Sequence, residues 1–159
     1  MAEPSATAAA RPAAPPPAPI PKPDLDVGAL QAILSTVLAD WVKALDLRVL
    51  EARVGEVVLA LPVTPLQVHG GGVLSGQTLM AAADTAMLLA VSSQLGGFRP
   101  MTTVQLQTSF MRPVAGDSGQ VRLVARVLRA GKSLVFGEVE AFDAAGRLAA
   151  HSTTTYALL

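Results

Sequence analysis

Cysteine is absent from this chain of 159 residues, which excludes disulfides, thiolate metal sites and a cysteine nucleophile. Histidine is scarce: His69 and His151 are the only two, widely separated, and lend little support to a metal site. Neither a metal nor a cofactor is expected. Excess charge of either sign is lacking as well, since 12 basic and 12 acidic residues cancel. No basic run exceeds a pair, which argues against nucleic acid as a partner. The N-terminus has neither the basic opening nor the unbroken apolar stretch of a secretion signal, so a cytoplasmic location is expected.

What the first two dozen residues do contain is alanine and proline. Pro15, Pro16, Pro17, Pro19, Pro21 and Pro23 forbid helix and favour extended chain. Residues 1–26 are therefore expected to be a disordered tail, and residues 27–159 a single domain. The 51% apolar share of the sequence is enough for a proper core.

From Val27 the pattern becomes regular. Leu30, Ile33, Leu34, Val37, Leu38 and Trp41 fall at helical spacing, predicting one amphipathic helix over Val27–Ala44. Leu47–Arg53 and Glu56–Pro62 read as strands turning at Gly55. A Gly-rich loop, Thr64–Ser75, leads into an apolar helix that stops at Gly96-Gly97. Four strands follow, Thr102–Met111, Gly119–Arg129, Ser133–Asp143 and Arg147–Leu158, joined by Gly-containing turns. Alternation is plainest where Val121, Leu123, Ala125 and Val127 oppose Arg122, Arg126 and Arg129. Short joints between successive strands imply an antiparallel sheet, with one long helix inserted after the second strand.

Between Leu66 and Phe98 only His69 and Asp84 are ionisable. The helix around Asp84 is about long enough to span a bilayer. However, it carries Asp84 near its middle together with Gln77, Ser92, Ser93 and Gln94, and no other segment resembles it, so a buried core helix and no membrane contact are expected. Asp84 sits among alanines, leucines and methionines, where desolvation costs a carboxylate several kcal/mol unless something pairs with it. It either hydrogen-bonds a neighbouring element or performs chemistry.

The order of helix, two strands, buried helix and four antiparallel strands resembles the hotdog fold, an α+β architecture whose sheet wraps a long central helix, here with an extra N-terminal helix. Ser75-Gly76-Gln77 followed by Ala83-Asp84-Thr85-Ala86 resembles the His-Gly-Gly…Ala-Asp-Thr-Ala signature of the PaaI-like acyl-CoA thioesterases. Phe110-Met111-Arg112-Pro113 and Leu128-Arg129-Ala130-Gly131-Lys132 resemble two further segments of that family. The departures are Ser75 for the usual histidine and Gln77 for the second glycine. The resemblance implies hydrolysis of an acyl-CoA to free acid and CoA. It also implies a homo-oligomer, a dimer or a dimer of dimers, with active sites at a two-fold interface.

Thioester hydrolysis needs a donor aimed at the developing oxyanion and a carboxylate that activates water or attacks directly. The first-turn N–H groups of a helix have no internal partner, and glycine leaves the approach to one of them open. Gly76 is thus the expected oxyanion donor and Asp84 the base or nucleophile. Eight residues of helix rise about 12 Å, whereas both groups must reach adjacent atoms within about 3 Å. Gly76 of one subunit must therefore work with Asp84 of another. By resemblance, His69 supports catalysis, unless it packs as an ordinary loop residue against Gly70, Gly71 and Gly72. Thr103 corresponds to a hydroxyl that holds the attacking water, unless it is only a strand threonine. Ser75 and Gln77 flank the substrate, and Arg112, Arg129 and Lys132 suit the phosphates of CoA. Two other readings remain open: a hotdog hydratase or dehydratase, and a non-catalytic acyl-CoA binder.

Overall fold

The computed structural model describes residues 25–159. The expected tail lies outside the described residues except for Leu25 and Asp26. Asp26 caps the first helix, α1 (Val27–Val37), its Oδ1 accepting the Ala29 N–H at 2.8 Å.

The single helix expected over Val27–Ala44 is in fact two. α1 stops at Leu38, which is extended (ψ 157°), and a short α2 (Asp40–Lys43) follows. The reason is local: the hydroxyls of Ser35 and Thr36 both donate to the Ala32 carbonyl, at 2.9 and 2.7 Å, drawing it away from the helical ladder. The break turns Leu38 and Val42 onto the core and leaves Trp41 65% exposed, so Trp41 does not share the apolar face its spacing suggested.

The strands are β1 (Arg48–Arg53), β2 (Glu56–Pro62), β3 (Met101–Phe110), β4 (Gln120–Ala130), β5 (Leu134–Phe142) and β6 (Leu148–Leu158). They form one six-stranded sheet in the order β1-β2-β4-β5-β6-β3, antiparallel at every junction. Between β2 and β3 runs α3 (Gly76–Leu95), the central helix, ended by Gly96 at φ 74°. The inward residues are those the alternation selected. Leu59 pairs with Leu123 and Val57 with Ala125, and all four are fully buried against α3. Gly137 on β5 lets the helix come close, because a Cβ there would collide with Met87.

The outer face carries the charges. Arg126 donates to Glu56 at 3.0 Å and to Glu140 at 2.7 Å, and His151 meets Glu138 at 3.2 Å. His151 lies in an interior strand, on this polar face. α3 has the length and apolarity of a membrane span, yet 12 of its 20 residues are buried inside the fold.

The β5–β6 turn depends on Asp143. Its Oδ1 accepts the N–H groups of Ala145 (3.0 Å) and Arg147 (2.9 Å), and its Oδ2 the Nε of Arg147 at 2.8 Å. The Arg147 backbone N–H, reinforced by its guanidinium, holds this carboxyl below its ordinary value. A group depressed in the folded state contributes stability that is present above its unfolded value and lost as pH falls through the folded one. Asp143→Ala is expected to lower Tm at pH 7. The difference from the parent chain should shrink below about pH 4, where carboxyls protonate; melts at pH 7 and pH 3 check it.

Candidate active site

α3 is buried on most sides, by Leu79, Ala82, Ala83, Ala86, Met87, Leu89 and Ala90 among others. The face left partly open carries Gln77, Met80, Ala81, Asp84 and Leu88 at helical spacing. Asp84 is the only ionisable group on it, and the fold supplies its partners. Thr103, on β3, donates its hydroxyl to Asp84 Oδ1 at 2.8 Å. Tyr156, on β6, donates to the same oxygen at 2.6 Å and lies 2.8 Å from the Asp84 backbone carbonyl. Thr103 and Tyr156 are cross-strand neighbours, so one rung of the sheet delivers both donors.

Tyr156 is 2% exposed, and burial, followed by the Asp84 charge, pushes its phenol well above the ordinary value. It therefore stays protonated, a donor at any working pH. Sequence reasoning missed it. Its signal, a lone tyrosine in a strand of Thr, Ser and Ala, is indistinguishable from an ordinary strand aromatic. Thr85 is turned away and spends its hydroxyl on the Ala81 carbonyl at 2.9 Å.

Gly76 opens α3, eight residues before Asp84. Ser75 caps the helix there, its Oγ accepting the Thr78 N–H at 3.3 Å and meeting Thr78 Oγ1 at 2.8 Å. The N–H groups of Gly76 and Gln77 find no acceptor among the described residues. Gly76 borders a cavity of about 360 Å³ with Leu74, Leu79, Phe110, Arg112 and Val114. The Phe110 ring closes over it, since a Cβ at Gly76 would stand 3.1 Å from Phe110 Cζ.

The remaining residues singled out by the sequence lie around these two places or apart from both. Arg112 belongs with Gly76 and is tied to the Leu148 carbonyl at 2.7 Å. Gln77 is exposed and faces Trp41 and Leu66 across a smaller cavity. His69 is exposed on its loop, and its Nδ1 accepts the Gly71 N–H at 3.0 Å. That bond assigns the proton of the neutral ring to Nε2, leaving Nε2–H as a donor. Arg129 and Lys132 are exposed at the β4–β5 turn, at the end of the sheet where Thr103 and Tyr156 meet. Within one chain the carboxylate and the helix N-terminus thus form two half-sites. β3 runs from one, at Thr103, to the other, at Phe110.

The model of the thioesterase superfamily matches residues 71–150. A Thermoplasma volcanium protein with a provisional esterase name is 33% identical over 114 residues, 67% of this chain and 77% of that one. Among solved structures, a conserved protein of Pseudomonas aeruginosa is 30% identical, with a TM-score of 0.72 over 79% of this chain and 98% of that one. A variant of the phenylacetic acid degradation protein PaaI from Thermus thermophilus is 27% identical, with a TM-score of 0.67 over 76% of this chain and all (100%) of that one.

Proposed function

Since the chain belongs to the thioesterase superfamily, as a PaaI-like hotdog thioesterase, we propose that it hydrolyses acyl-CoA thioesters at a site built by two subunits. The observation that carries this reading is the pair of half-sites, one at the N-terminus of α3 and one near its middle, joined by an edge strand. Among the described residues β3 has β6 on one side and no strand on the other. A ten-residue edge strand is a ready template for pairing. Antiparallel pairing with its own copy about a two-fold axis would set the Thr103 end of one β3 beside the Phe110 end of the other. Asp84 of one subunit would then meet Gly76 of its partner, as the 12 Å of helix between them requires.

In such a site the thioester carbonyl accepts the Gly76 N–H at the positive end of α3, which steadies the oxyanion as it forms. Asp84 either takes a proton from the attacking water or attacks the carbonyl carbon itself. Water attack breaks the C–S bond and gives the free acid directly, whereas attack by Asp84 breaks it to leave a mixed anhydride that a water then hydrolyses to the free acid, restoring the carboxylate. In both routes the thiolate takes a proton to become CoA. Thr103 has spent its only proton on Asp84, but its lone pairs can still accept from the water. His69, through Nε2–H, is a supporting donor to the thioester. Arg112 from the Gly76 side, and Arg129 and Lys132 from the Asp84 side, offer cations to the CoA phosphates. Ser75 and Gln77 sit where substrate enters. Because Ser75 caps α3, its departure from the family's histidine has a structural use of its own.

The test is a panel of aryl- and alkyl-acyl-CoAs assayed by free-thiol release. Thiol release at a rate proportional to enzyme is the expected result. Conversion of an enoyl-CoA without thiol release would replace this reading by a hydratase. Tight binding without turnover of any member would replace it by an acyl-CoA binder.

A further inference from the structure

We infer that Tyr156 is a positioning residue for Asp84: together with Thr103 it pins Oδ1 and leaves Oδ2 as the oxygen that meets the reacting group. The inference rests on the reading of Asp84 as the catalytic carboxylate and adds which of its oxygens works and what orients it. An aspartate on an open helix face can rotate about χ2 and exchange its two oxygens. Here both donors converge on one of them, at 2.8 Å from Thr103 and 2.6 Å from Tyr156. Tyr156 has a single proton and two acceptors in range. The shorter contact is to the carboxylate, where charge strengthens the bond, and the backbone carbonyl at 2.8 Å is the secondary partner.

The arrangement is rigid. Tyr156 is among the largest fully buried side chains and sits in an interior strand, whereas Thr103 lies in the edge strand beside a register irregularity. The interior residue is therefore the fixed point to which the carboxylate is referred. No other titratable side chain is hydrogen-bonded or ion-paired to Asp84 among the described residues. An oriented carboxylate has already lost the rotational freedom that a productive geometry would otherwise cost.

Tyr156→Phe keeps the buried ring and removes only the hydroxyl. The expected result is a fall of about 10- to 100-fold in kcat, the range for a hydrogen bond to a charged group. KM should stay within about twofold and Tm within a few degrees, because neither the substrate contacts nor the ring packing changes. Thr103→Val should lower kcat in the same way, again with KM little changed, and the double variant further than either. Unchanged kcat in Tyr156→Phe would overturn the inference. So would a loss of activity that follows the fraction of unfolded protein. An Asp84→Asn enzyme that remains active would instead strike the reading of Asp84 itself, whatever Tyr156→Phe does.

Discussion

Asp84→Asn is expected to reduce turnover by more than about 100-fold, the usual scale for removing a general base, and by more if the carboxylate is the nucleophile. The substitution discriminates because of how Asp84 is held. An asparagine can present its carbonyl oxygen to the hydroxyls of Thr103 and Tyr156 in the place of Oδ1, so both hydrogen bonds survive. What it cannot do is accept a proton or attack a carbonyl. Fold and substrate binding should persist, with Tm close to that of the parent chain and a substrate Kd changed little. Asp84→Ala should be as inactive, and it also leaves both hydroxyls without their carboxylate partner, so a lower Tm is expected there. An Asn variant with parental activity would remove Asp84 from the mechanism. Equal losses of Tm and activity in the Asn variant would make Asp84 a structural acid.

The second large effect concerns assembly. Two inactive chains, Asp84→Ala and Gly76→Val, are expected to recover activity when mixed and allowed to exchange subunits. A valine at position 76 would meet the Phe110 ring, whose Cζ is 3.1 Å from where its Cβ would lie. That ring is 50% exposed and can yield, so the chain should fold while the approach to the Gly76 N–H is blocked. In a heterodimer one site has both defects and the other has neither. Activity should return to as much as about half of the parental value per heterodimer, if each site works independently. Verified exchange without recovery would mean that Gly76 and Asp84 act within one chain, and the shared site would have to be given up.

The local rules of chain geometry were written in the sequence. Val121, Leu123 and Ala125 declare a strand with one buried face, Gly55 and Gly96 mark where the chain must reverse or stop, and the spacing of Gly76 and Asp84 sets their separation. These follow from period, turn chemistry and helical rise, which depend on neighbours a few residues away. Asp84 itself stood out because a charge among alanines and leucines conflicts with its surroundings, and such conflicts concentrate at sites of chemistry. The break at Leu38 is local as well, two hydroxyls competing for one carbonyl, but the apolar period that runs straight through hid it. Tertiary structure decided the rest. Tyr156 reaches Asp84 from 72 residues away only because β6 lies between β5 and β3. β3 became the open edge because β6 paired with both β5 and β3. Strand order is a global outcome of which faces and edges can be buried together, and no local pattern specifies it.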